Sequence, residues 1–143
     1  MANDIDIASL AAELRALISR LKRRLREQGS VGDLTPSQIA ALRRLDRDGP
    51  ATVSNLARAE GVRPQSMGVT VAALEAAGLV AGAPDPNDGR QTLISTTPLC
   101  VEKLARGRAA RQDWLARQIV NLSSEEQAQL AAAADILRRI SES

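Results

Sequence analysis

The side chains in this chain that are best suited to chemistry recognise rather than react. Gln65 and Ser66 follow Arg63-Pro64 at the opening of a helical pattern. A glutamine amide can pair with an adenine edge through two hydrogen bonds, and a serine hydroxyl can donate or accept. Gly68 and Thr70 lie on or near the same helix face. Arg63 brings a planar fork that suits phosphate or carboxylate. Asp88 and Arg90 stand two apart in a turn-rich stretch. An Asp–Arg bond there would hold the loop. Each has a plainer reading: solvated first-turn residues, a solvated arginine, a glycine kept for tight helix crossing, an ion pair that only steadies its loop.

Bond-making chemistry has little to work with. The chain has no histidine and one cysteine, so it can hold no histidine-based triad, no histidine metal site and no internal disulfide. It has no phosphate-binding glycine loop followed by lysine and no helix face of clustered carboxylates. The expectation is a protein that is not an enzyme and needs no metal or cofactor. Cys100 near a helix start has two readings: a redox-sensing thiol lowered by the helix dipole, or a small core residue. Trp114 and Met67 likewise read as lining a ligand cavity or as ordinary core. No residue identifies a ligand.

These residues need elements to position them. Residues 6–28 repeat Leu10, Leu14, Leu17, Ile18, Leu21 and Leu25 at helical spacing, which predicts one apolar stripe. Thr35-Pro36-Ser37-Gln38 opens a second helix with a capping box, and Asp48-Gly49-Pro50 ends it. Thr52 caps a short helix to about Glu60, Gly61 turns the chain, and Pro64 opens a helix over 64–77 whose core side is Met67, Val71 and Leu74. Residues 79–81 and 92–96 read as strands around a long loop rich in Gly, Pro, Asn and Asp. Thr97-Pro98 starts a helix over 98–120, and Ser123-Ser124-Glu125-Glu126 caps a last one over 124–141.

The fold class expected is mainly α with a small β-hairpin wing. Its centre is a winged helix-turn-helix over 34–97, flanked by dimerisation helices over 1–33 and 98–143, all within one domain of 143 residues. Two short helices about a glycine turn project the second one so that its first turn can enter a major groove. The flanking stripes, with Leu10, Leu14, Leu17, Leu130, Leu137 and Ile140 as the expected seam, have no evident partner in the small central unit. A second copy of the chain would cover them. The near absence of aromatics, with Trp114 the only one, leaves a core of Leu, Ile, Val and Ala. Net charge is +2 with a sequence pI near 9.3, and only Lys22 and Lys103 among 19 basic residues are lysine. An arginine-rich surface leaves nucleic acid open without establishing it. A single cysteine fits a reducing cytoplasm, no apolar run approaches a membrane span, and the start, with Asp4 and Asp6, lacks the order of a signal peptide.

Leu56-Ala57, Gly61-Val62, Pro64-Gln65-Ser66-Met67, Leu74-Glu75, Gly78-Leu79-Val80 and Asp85-Pro86-Asn87-Asp88-Gly89-Arg90, in this order and spacing, resemble the MarR (multiple-antibiotic-resistance regulator) family. The resemblance covers nearly the whole chain, with 34–98 the informative part. It implies a homodimeric transcription regulator on a pseudo-palindromic operator in double-stranded DNA, often a repressor released by a small-molecule effector. It points to Thr52, Ser54, Asn55, Arg63, Pro64, Gln65, Ser66, Gly68, Thr70, Asp88 and Arg90 as DNA contacts. The chain departs from the family pattern in having Gly68 and Val69 in mid-helix, where a basic residue is common. Residues 47–95 are also not basic: Arg47, Arg58, Arg63 and Arg90 stand against Asp48, Glu60, Glu75, Asp85 and Asp88. Positive charge would then come from Arg43, Arg44 or the Arg20–Arg26 cluster, and from helix N-termini. Two other readings stand beside it: a winged-helix module that docks a protein, and a thiol redox regulator acting through Cys100.

Overall fold

A computed structural model describes residues 4–29 and 31–143. It divides into two compact units, one of Met1–Gly29 with Arg108–Ser143 and one of Ser30–Gly107.

The second unit holds α2 (Pro36–Asp48), α3 (Val53–Glu60), α4 (Pro64–Ala76), β1 (Val80–Asp85), β2 (Asp88–Thr96) and the start of α5 (Pro98–Val120). Local chemistry sets the helix starts. Thr35 Oγ1 accepts the Gln38 amide at 3.2 Å and Gln38 Oε1 accepts the Thr35 amide at 3.0 Å, closing the expected capping box. Thr52 Oγ1 accepts the Asn55 amide at 3.1 Å. Thr97 Oγ1 accepts the Cys100 amide at 3.2 Å while its hydroxyl donates to the Gly78 carbonyl at 2.6 Å, joining the end of one helix to the start of another. Each such cap stabilises by about 1 kcal/mol.

Apolar burial holds the unit together. Leu42, Leu56, Leu74, Leu79 and Cys100 are fully buried, with Ala41, Leu45, Ala57, Met67, Val71, Val80 and Ile94 around them. A buried leucine contributes about 2 kcal/mol. The first turns of α5 belong to this core, since Cys100 and Gly107 are buried. The second unit therefore reaches into α5 as far as Gly107. Ala51 and Ile94 exchange backbone hydrogen bonds of 3.0 and 2.8 Å and tie β2 to the α2–α3 connection. Arg44 Nε donates to Glu60 Oε1 at 2.6 Å and fastens the end of α3 to α2.

The wing differs from expectation in length. The strands run to Asp85 and Asp88 and leave only Pro86 and Asn87 as the turn. Gly82 pairs with Ile94 and Pro84 with Thr92, with an irregularity between Pro84 and Asp85. The turn-forming residues are thus accommodated in a ladder: this is a two-stranded sheet, all edge, where a proline and a bulge are tolerated. Asp85 Oδ1 accepts the Asn87 amide at 2.9 Å and closes the tip.

The first unit holds α1 (Ile7–Gln28), the rest of α5 and α6 (Ser124–Ser141). Asp6 caps α1 through the Ala8 and Ser9 amides, and Ser123 with Glu126 forms the capping box of α6. Arg111 Nη1 donates to the Gly29 carbonyl at 2.8 Å, and Arg24 lies over the Trp114 ring at 5.6 Å. Neither α1 nor α6 contains a fully buried residue. Leu10, Leu17, Ile18 and Leu21 on α1 and Leu130, Ile136, Leu137 and Ile140 on α6 are all at least 40% exposed.

Candidate nucleic-acid interface

The site is built on α3, its turn, α4 and the wing. Gly61 ends α3 at φ +67°, a left-handed conformation, and its amide donates back to the Ala57 and Arg58 carbonyls. Only glycine takes this conformation without cost. The chain then reverses, and Pro64 starts α4 with its φ already suited to a first turn.

Three buried residues, Met67, Val71 and Leu74, fix α4 to the core. Its first turn faces solvent: Arg63, Pro64, Gln65 and Ser66 are all exposed. No side chain caps α4, whereas side chains cap α1, α2, α3 and α6 and Thr97 caps α5. The Gln65 and Ser66 amides, with no intrahelical acceptor, point out of the helix end toward whatever approaches it. Ser54 and Asn55 on α3 are exposed as well.

The other expected residues are placed as follows. Gly68 stands in open space, with nothing within 4 Å of where a Cβ would lie, so tight helix crossing does not account for it. Thr70 is half-buried and, with the exposed Ser66 one turn before it, lines a shallow cleft of about 280 Å³ beside Pro36, Ser37 and Ala40. Thr52 is half-buried and its oxygen is engaged as the α3 cap. Asp88 Oδ1 accepts from the Arg90 amide at 3.1 Å and from Arg90 Nε at 3.2 Å. The Arg90 side chain is nonetheless 93% exposed, so the pair aims the guanidinium outward and leaves its terminal nitrogens accessible.

Arg44 is not available for phosphate, since it is paired with Glu60 and, at 3.5 Å, with Asp48. Arg47 also faces Asp48, at 3.0 Å. Arg43, Arg58 and Arg63 remain exposed. Val69, named above only for the charge it lacks, is exposed on the same side of α4 as Gln65, opposite the buried Met67 and Val71.

Cys100 is 0% exposed. Burial, and then the Asp46 carboxylate, push its thiol above the usual range. A thiol that is both shielded and harder to ionise is a poor redox sensor. Met67 is core of the second unit, and Trp114 sits in the first, half-buried under Arg24.

Comparison with known proteins agrees with the fold. The model of the MarR family matches residues 34–92. An uncharacterized HTH-type transcriptional regulator of Mycobacterium bovis is 39% identical over 130 residues, 91% of each chain. A MarR family protein of Bacillus stearothermophilus has a similar structure, with a TM-score of 0.68 and 25% identity over 100% of both chains. A mutant of S. aureus MepR bound to an oligodeoxyribonucleotide shares the fold at a TM-score of 0.73, with 18% identity, covering 93% of this chain and 96% of that one.

Proposed function

The chain belongs to the MarR family of transcriptional regulators, and from that premise we propose that it is a homodimeric, sequence-specific DNA-binding repressor of the cytoplasm. Two copies of α4, one from each protomer, dock in successive major grooves of a pseudo-palindromic operator. Gln65 and Ser66 read base edges. Arg63, Ser54, Asn55 and the uncapped start of α4 hold phosphates, and Arg90 on the wing reaches the adjacent backbone or minor groove.

The observation that carries this reading is the first turn of α4. It is exposed, uncapped and set with Gln65 and Ser66, while Met67, Val71 and Leu74 lock the same helix to the core. A rigid helix with a free polar tip is what groove entry requires. The exposed leucine and isoleucine stripes of α1 and α6 support the second copy. A protein of the same fold, the MepR mutant, was solved with an oligodeoxyribonucleotide.

A small-molecule effector would act by shifting the separation of the two reading helices. It must bind the DNA-competent and DNA-incompetent forms with different affinity.

The test is a gel-shift with sequences selected from random DNA, run over a range of salt. The reading predicts a specific complex whose affinity falls as a power of salt concentration. Failure to shift any duplex at low salt would favour a winged-helix module that docks a protein instead.

A further inference from the structure

The outward side of α4 carries no charge. No ionisable side chain lies between Arg63 and Glu75. Opposite the buried Met67, Val71 and Leu74 run Gln65, Val69, Ala72 and Ala76, at spacings of four, three and four, which place them on one line of the helix. Val69 is 73% exposed. Beside it Gly68 leaves the surface open, with nothing within 4 Å of a Cβ built there. A solvent-facing helix line normally carries charge, and an apolar one asks for a partner.

The line begins at Gln65, in the turn that enters the groove, so the partner that meets Gln65 also meets Val69. The apolar group that projects into a major groove is the C5-methyl of thymine; apart from the flat C5–H edge of cytosine, the other groups on its floor are donors and acceptors. Valine can satisfy none of those, and covering one with it would leave a polar atom unpaired at a cost of about 1–3 kcal/mol. The match is therefore selective. Four residues of helix advance about 6 Å, so Gln65 and Val69 meet different base pairs.

We infer that Val69, flanked by Ala72, is a specificity-determining residue that packs on a thymine methyl in the major groove, in each half-site, at a base pair about 6 Å along α4 from the one read by Gln65. This rests on α4 being the reading helix.

The test uses the full chain and a duplex recovered by selection from random DNA, with each thymine of a half-site replaced singly by deoxyuridine. That replacement removes the methyl and nothing else. At one thymine per half-site, affinity should fall about fourfold, the worth of one buried methyl. Val69→Ala, on an exposed helix position where alanine is a good helix former, should bind more weakly and lose that discrimination. Gln65→Ala should bind more weakly but keep it. Equal binding of thymine and deoxyuridine duplexes by the wild type overturns the inference and leaves DNA binding intact. So does discrimination unchanged in Val69→Ala, or a selected site without thymine at that position. Absence of any duplex binding overturns the proposed function itself.

Discussion

At the residue scale the proposed reading surface would divide into groups that choose a sequence, with Gln65 among them, and groups that only hold on, with Arg90 among them. Gln65 is of the first kind: exposed, on the outward line of α4, with a side-chain amide able to bond twice to adenine. Gln65→Ala should relax the preference at one position of each half-site by about 1–3 kcal/mol, read as a loss of information in the selected sequences. Arg90 is of the second kind, held by Asp88 at 3.2 Å yet almost wholly exposed. Arg90→Ala should weaken binding to every sequence alike and lower the salt slope by about one. An unchanged slope would show that this guanidinium touches no phosphate. Much of this was legible in the sequence because the partners are local. The caps of Thr35, Thr52 and Ser123 link residues three apart, and Asp88 and Arg90 are two apart. The pairing of Arg44 with Glu60 spans sixteen positions. Spacing rules do not reach that far, so the sequence left Arg44 as a phosphate candidate.

At the scale of elements, helix bounds followed the apolar period and the caps to within a residue or two, while the wing did not follow its composition. Residues 82–91 read as loop because their types favour turns, but strand register is fixed by the partner strand and by the Ala51–Ile94 bridge. The pairing has a steric consequence at Gly82. A Cβ there would lie 2.8 Å from Thr92 Cγ2 on the neighbouring strand. Gly82→Ala should destabilise the protein by about 1–3 kcal/mol through overpacking, measured by denaturant unfolding. Adding Thr92→Ser, which deletes that methyl, should recover most of the loss. A Gly82→Ala protein as stable as wild type would mean that the exposed Thr92 side chain turns aside without cost.

At the scale of the whole molecule, the proposed dimer would cover the exposed apolar stripes of α1 and α6. Leu14 is already half-buried within one protomer, so the sharper probe of the seam is Leu17, 43% exposed on the same stripe. Leu17→Asp should shift the protein toward monomers at micromolar concentration in a sedimentation experiment, because it would bury a charge between copies at a cost of several kcal/mol. A dimer of undiminished stability would place the seam elsewhere. The periodicity of the stripes was plain in the sequence. The place of Cys100 was not, because the start of α5 joins the core of residues 30–107 through contacts distant in the chain.

In the proposed complex two protomers together present two α4 helices to one duplex. The most direct measurement is the mass, by light scattering, of the complex formed with a selected operator, combined with a chemical footprint of the same complex. Two chains per duplex, protecting two major-groove patches about 34–36 Å apart, is the predicted result. One chain per duplex, or a single protected patch, would contradict it.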